Sequence, residues 1–306
     1  MNFWQNYHLA QTIDDALRTL VSAPGEACII GGGTDLLLDL QQGRHPPVHT
    51  LVDVTQIPAL TTLEIRDDEL FIGAGVPHRK IAASPLVREH ARALAKACGL
   101  IGGPQVRNTA TLGGNVAHAL PAADGTIALM ALDARAIIER LDGQRTVPLG
   151  ELFLGPGKSA LAKDELLVGF RVSLRNPGEA SAFKRVMRPQ GVAIAILNLG
   201  AWLRREGNHI ADVRIAVGPS GPVPRRMTTA EDVLRGQPLD DVSLQRAYQA
   251  ILSEANFRTS RHRATKEYRR HVVGVLLRDV LHAAFADAGT AIQNNHQTPK
   301  AYETHG

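Results

Sequence analysis

Short apolar runs closed by turn residues alternate with amphipathic stretches over roughly the first half of the chain, which predicts short strands interleaved with helices. Thr12 to Leu20 reads as a helix, with Thr12 as its cap and Asp14 and Asp15 in the first turn. Ala27-Cys28-Ile29-Ile30 is a short strand running straight into Gly31-Gly32-Gly33-Thr34-Asp35, and Leu36 to Leu40 is helical again. Leu51 to Val54 is a further strand. Glu64 to Arg66 and Leu70 to Gly73 flank Asp67-Asp68 as a hairpin would, and Ala136 to Glu139 and Arg145 to Val147 flank Asp142-Gly143 in the same way. Pro85 to Cys98 reads as one helix, with Ser84 as cap, Pro85 at the first position and Gly99 as stop. Gly102 to Ala119 reads as a long loop, Thr126 to Leu132 as a buried helix and Leu166 to Val172 as a strand.

The pattern changes near Arg175-Asn176-Pro177-Gly178, a linker by composition. Beyond it, Ala193 to Leu203 and Ile210 to Val217 are strands joined by a polar turn at Glu206-Gly207-Asn208. Helices are predicted over Thr229 to Arg235, Leu244 to Glu254 and Ala264 to Ala286. Strands followed by helices imply a small α+β domain. The polar residues after Gly289 are expected to be disordered.

Length and composition narrow the function. A chain of 306 residues has room for two cores, and a hydrophobic fraction of 44% is ordinary for a globular protein. A net charge of +4 with no basic stripe, and only 4% aromatics, argue against nucleic acid as a partner. Cys28 and Cys98 are the only cysteines, so this chain holds no cluster by thiolates alone and has no disulfide framework. With neither a signal peptide nor a long apolar run, the expectation is a cytoplasmic protein without a membrane span. No metal site is expected. His45 and His49 are four apart, but Pro46-Pro47 denies them a shared helical face.

Two glycine-rich segments carry the candidate chemistry. The first is Ile29-Ile30-Gly31-Gly32-Gly33-Thr34-Asp35, running into Leu36; the second is Thr109-Ala110-Thr111-Leu112-Gly113-Gly114-Asn115. Clustered glycines let backbone N–H groups converge on an anion, so two such loops suggest a diphosphate gripped from two sides. The alternative is a pair of tight turns. A dinucleotide fingerprint fails because Leu36 stands where its last glycine belongs, and a P-loop ending at Gly157-Lys158-Ser159 fails at Leu152. Asp124, before an apolar helix, reads as an N-cap, as an acceptor for ligand hydroxyls, or as both.

The first segment, Gln105-Val106-Arg107-Asn108 with Thr111 to Asn115, and Pro121 to Asp124 together resemble the FAD-binding medium subunit of molybdenum hydroxylases, the xanthine dehydrogenase and carbon monoxide dehydrogenase group. The resemblance covers about residues 1 to 288. It implies an α+β fold: a two-lobed FAD-binding domain of the vanillyl-alcohol-oxidase type over 1–176 (lobes 1–57 and 58–176), a small C-terminal domain over 177–288, and a tail over 289–306. It also implies that Ile29 to Asp35, Thr111, Leu112, Gly113, Gly114 and Asn115 hold the diphosphate, with Asp124, Leu166 and Lys184 near the flavin ring. For Lys184 the alternative is a solvated strand lysine. His118, close to this proposed site, reads as a polar wall residue, the alternative being a covalent tether to the flavin. An aspartate frequent in the family before an Ile-Ala pair is missing from Gly191-Val192-Ala193-Ile194-Ala195.

Gly155-Pro156-Gly157-Lys158 and the basic segment Arg261 to Arg270 resemble the bacterial xanthine dehydrogenase branch. The basic segment reads equally as a solvated helix face or a docking surface. The resemblance implies an oxidoreductase subunit with no catalytic residue of its own. Substrate would be oxidised at a molybdopterin cofactor in a large partner, and electrons would pass through [2Fe-2S] clusters in a small partner to FAD and then NAD⁺. The rivals are a stand-alone flavin oxidase or dehydrogenase, and a family member that uses quinone or another acceptor. A stand-alone enzyme needs a cap domain around its substrate, for which the short C-terminal part offers little material.

Overall fold

In the computed structural model, which describes residues 2–188, 194–261 and 263–290, the chain opens with a small parallel sheet. Its elements are β1 (Trp4–Leu9), α1 (Ile13–Ser22), β2 (Ala27–Ile30), α2 (Leu36–Gln41) and β3 (Val48–Asp53), with strand order β1-β3-β2. Thr12 caps α1 by accepting from the Asp15 amide at 3.1 Å. β1 has no counterpart in the predicted elements. It is an edge strand with mostly exposed side chains, so its sequence carries little hydrophobic alternation.

A second lobe follows, with β4 (Leu63–Arg66), β5 (Glu69–Gly73), α3 (His78–Ala83), α4 (Pro85–His90), α5 (Arg92–Leu100), α6 (Pro104–Thr109), α7 (Leu112–Ala117), α8 (Asp124–Ala131), β6 (Arg135–Arg140), β7 (Gly143–Pro148), β8 (Phe153–Gly155), β9 (Lys158–Ser159) and β10 (Leu166–Ser173). Five of these strands form one antiparallel sheet in the order β4-β5-β10-β6-β7. One face of this sheet covers α5 and α8, and the other meets the first lobe through Val52, Ile57, Phe71, Ile137, Leu166 and Val168. An irregularity in β10 between Leu167 and Gly169 switches the facing residues. Leu166 and Val168 point to the first lobe, whereas Phe170 and Val172, of the same parity, join the opposite core.

Two predicted elements of this lobe need correction. The single helix over Pro85 to Cys98 is two helices broken at Ala91, whose φ is −139° and ψ 52°. Ser84 caps the first, and the second runs past Gly99 to Leu100. The break lets the Ala93 amide donate to the distant Ser181 hydroxyl at 3.1 Å, in a buried contact. The predicted loop over Gly102 to Ala119 contains α6 and α7. Both are six residues long, and α7 is held by neighbours rather than by an apolar stripe, so periodicity could not find it.

The C-terminal elements are β11 (Glu179–Val186), β12 (Leu197–Glu206), β13 (His209–Gly218), β14 (Arg225–Arg226), α9 (Thr228–Leu234), α10 (Asp241–Glu254) and α11 (Lys266–Ala288). The strands form an antiparallel sheet in sequence order. The predicted strand start at Ala193 lies outside the described residues, and β12 begins at Leu197. Along β12, Leu197, Leu199, Ala201 and Leu203 face α11, whereas Asn198, Gly200 and Trp202 face the second lobe. A Cβ on Gly200 would stand 3.2 Å from that of Ala131, so β12 lies directly on α8. Every residue of α8 is buried between the two cores. Its Ile127 is 0% exposed, and Ile127→Ala should destabilise the folded chain by about 2–5 kcal/mol, read from chemical unfolding.

Candidate functional site

The apolar strand β2 delivers the first glycine segment. Ile29 packs toward the inter-lobe cluster that contains Leu166, and Ile30 toward Leu36 and Leu37 of α2. The chain then turns through Gly33, whose φ of +66° suits glycine, and enters α2 when the Leu37 amide donates to the Gly33 carbonyl at 3.1 Å. Among the described residues, no protein acceptor meets the backbone N–H groups of Gly31, Gly32, Gly33, Thr34 or Asp35.

The second segment lies against the first. A Cβ on Gly32 would fall 2.1 Å from the Thr109 carbonyl oxygen, and one on Gly31 would fall 3.4 Å from the Thr111 hydroxyl. The two predicted loops therefore do meet, backbone to backbone. Their donors differ, however. The Leu112 amide donates to Val76 at 3.1 Å, the Gly113 amide to Ala74 at 2.7 Å and the Gly114 amide to the Thr111 hydroxyl at 3.1 Å. A Cβ on Gly113 would meet that of Ala74 at 2.6 Å. Asn115 accepts from the Thr126 amide at 3.1 Å and so joins α7 to α8. Thus the second segment buttresses, while the first leaves its N–H groups available to an anion.

His118 closes one side, with its Nε2 4.0 Å from the Asp35 carboxylate. Behind the second segment, the His78 amide donates to the Ala110 carbonyl at 3.1 Å. The His78 ring is buried, its Nδ1 meets no partner, and burial holds its pKa down to about 4.

Asp124 is the first residue of α8, and the N-cap position belongs to Ala123, which makes no side-chain bond. The capping expectation for Asp124 is corrected accordingly. Its carboxylate instead reaches across to the C-terminal sheet, accepting from Arg185 Nη1 and, at 2.6 Å, from Asn198 Nδ2. Burial holds the Asp124 carboxyl above the usual carboxylate range, and Arg185 and Asn198 oppose that rise without cancelling it.

Lys184 is not brought to this cluster. Residues 181, 183 and 185 of β11 face the second lobe, and 180, 182 and 184 face α11, where Lys184 pairs with Asp279. Arg185 is the cation that strand alternation sends toward Asp124, and sequence reading missed it. The signal available was its place one residue beyond Lys184, which reverses the face. In the basic segment, Arg269 is buried and donates to the Ile196 carbonyl, so a wholly solvated face is also corrected. His262, and Gly191 to Ala193 of the run lacking the family aspartate, lie outside the described residues.

A cleft of about 430 Å³ lies elsewhere, against α1 and the β6–β7 turn, and none of the candidate residues lines it. Among the described residues, no group of three His, Cys, Asp or Glu side chains is placed to hold a metal ion, and no helix is long and apolar enough to cross a membrane.

A row of unpaired N–H groups that opens on three consecutive glycines suits a phosphate group, and the buried Asp124 carboxylate is a further acceptor. The comparisons with known proteins agree. Residues 2–173 match the family described as the FAD binding domain in molybdopterin dehydrogenase, and residues 181–284 match the CO dehydrogenase flavoprotein C-terminal domain. The chain belongs to the FAD-binding medium subunits of the molybdenum hydroxylase family and is an oxidoreductase subunit.

It is 32% identical to the xanthine dehydrogenase FAD-binding subunit of Escherichia coli O157:H7, over 94% of this chain and 98% of that one. It is 33% identical to the nicotine 6-hydroxylase medium subunit of Paenarthrobacter nicotinovorans, over 89% and 94% of the two chains. The carbon monoxide dehydrogenase structure from Hydrogenophaga pseudoflava aligns at a TM-score of 0.87 with 28% identity, over 92% of this chain and 97% of that one.

Protonation of His78 supplies one test. Its folded pKa lies below the ordinary imidazole value of 6.5, so the unfolded chain binds more protons between the two. Stability should therefore fall as pH drops from about 6.5 toward 4, and His78→Gln should flatten this dependence in thermal melts.

Proposed function

We propose that this chain holds FAD with its diphosphate on the N–H groups of Gly31 to Asp35 and serves as the electron-transfer subunit of a molybdenum hydroxylase. The observation that carries the reading is the row of five amides without a protein acceptor, packed against a second glycine segment. Ile29 and Ile30 anchor the cradle, and Thr111, Leu112, Gly113, Gly114 and Asn115 fix its back wall. Asp124 takes hydroxyl hydrogen bonds from the ribityl chain, since an ionised carboxylate has more lone pairs than its two protein donors use. Leu166 contributes through the apolar cluster beneath Ile29, whereas Lys184, on the opposite face of β11 with Asp279, stays outside the site. The units follow as an FAD-binding domain over 1–176 and a C-terminal domain over 177–288.

Bound FAD supplies the redox chemistry, accepting electrons from [2Fe-2S] clusters in a small partner subunit and reducing NAD⁺. The protein's part is to fix the cofactor and set the charge around it. A large partner would carry the molybdopterin cofactor and the substrate site, as the full-length match to medium chains of such enzymes supports. The xanthine dehydrogenase relative favours a purine substrate, and the nicotine and carbon monoxide relatives favour other substrates; NAD⁺ as acceptor and a cytoplasmic site complete the proposal.

The chain purified without flavin should bind FAD and turn yellow. Gly32→Val, whose side chain would collide with the Thr109 carbonyl, should weaken FAD at least tenfold. Gly114→Val, with 3.2 Å to the Thr111 hydroxyl, should do less. Unchanged affinity in Gly32→Val would remove the cradle from the site. With both partner subunits and substrate present, reduction of NAD⁺ rather than a quinone would support the acceptor assigned.

A further inference from the structure

The Asp124 carboxylate is only 5% exposed, yet it belongs to one domain and both of its donors belong to the other. Asn198 Nδ2 divides its hydrogens between Asp124 and the Ala122 carbonyl at 3.1 Å, so Asn198 grips the start of α8 as a whole. Arg185 supplies the charge. Its side chain is 6% exposed, with Nη1 on Asp124, Nη2 3.0 Å from the Met187 sulfur, and Nε without a partner. A guanidinium this buried and incompletely bonded is costly unless it serves a buried anion.

Among the described residues, no other cation is bonded to Asp124. Cys98 on α5 is the titratable neighbour on that side, and burial with the Asp124 charge pushes its thiol up, so it stays neutral. β13 and β14 contribute Arg214 and Arg226, which pair with Asp133 beyond the far end of α8. Glu151, between β7 and β8, is exposed and lies near Arg145. α7 carries no ionisable side chain, and His118, which follows it, faces Asp35. On β11, Lys184 is on the other face with Asp279, and on β12 Asn198 is neutral.

We propose that Arg185, contributed by the C-terminal domain, is a positioning residue of the cofactor site, holding the Asp124 carboxylate in one orientation across the domain boundary. The inference rests on the FAD reading above for its consequence, and on this chain alone for its geometry. Removing the guanidinium charge takes away the largest effect that opposes burial, so the Asp124 carboxyl rises further. It then accepts hydroxyl hydrogen bonds more weakly, because charge-assisted bonds are the stronger ones. The C-terminal domain is thus part of the FAD site without needing to touch the diphosphate.

The test compares Arg185→Gln, which can still donate to Asp124 but carries no charge, with Arg185→Lys, which keeps the charge. FAD dissociation constants are measured by flavin fluorescence from mildly acidic to mildly alkaline pH. The infrared band of a protonated carboxyl is followed in the same proteins without FAD. Arg185→Gln should bind FAD about tenfold more weakly at neutral pH, with affinity recovering as pH rises, and should gain a carboxylic-acid band that Asp124→Asn removes. Arg185→Lys should keep the wild-type pH profile and lack the band. A pH profile for Arg185→Gln parallel to wild type, with no new band, overturns the proposal. Should the wild-type chain fail to bind FAD, the functional reading falls, and the infrared band alone decides whether Arg185 opposes protonation of Asp124. Should Arg185→Gln fail to fold, Arg185→Met is read by the same two measurements.

Discussion

Backbone lies on backbone where Gly32 meets Thr109 and Ala110, and there is no space for a single carbon between them. That contact fixes the distance between the first lobe and the second at the site itself. Everything around it can be understood as support. β2 ends there because the first segment must turn away through Gly33, and α7 begins there because Thr111 caps it. The inter-lobe cluster around Leu166 and Phe71 holds the same two bodies together a short distance below.

The contact also divides labour between the segments. If both offered free amides, the cradle would be a flexible pocket. Instead Leu112 and Gly113 are bonded to Val76 and Ala74, so the second segment is rigid before any ligand arrives. The first segment keeps its donors free and gains its shape by leaning on the second. Pre-formed sites of this kind bind without the cost of ordering a loop on arrival. Beyond them, α8 transmits position: Asn115 holds its first turn from one side, and Arg185 and Asn198 hold Asp124 from the other.

Much of this was legible before the structure. Strand, glycine turn and helix around Gly31 to Asp35 were readable from the residues, because glycine adopts the positive φ at Gly33 without strain and is the residue that permits the approach at Gly32. The hairpin at Asp67-Asp68 was equally plain, and so was the next one, although its turn is Leu141-Asp142 and Gly143 already opens β7. What stayed hidden was decided by distant partners. The helix break at Ala91 follows an acceptor on Ser181, and six-residue helices such as α7 owe their form to neighbours. Charge placement was hardest: Lys184 and Arg185 are adjacent and alike, and only the strand's parity separates the one bound to Asp279 from the one bound to Asp124.

The first segment binds and the second supports. Amide hydrogen exchange, followed by mass spectrometry with and without FAD, tests this most directly. The account predicts that amides from Gly31 to Asp35 exchange quickly in the free protein and become protected on FAD addition, while Leu112 and Gly113 are protected in both. Protection that appears at Leu112 and Gly113 but not at Gly31 to Asp35 would contradict it.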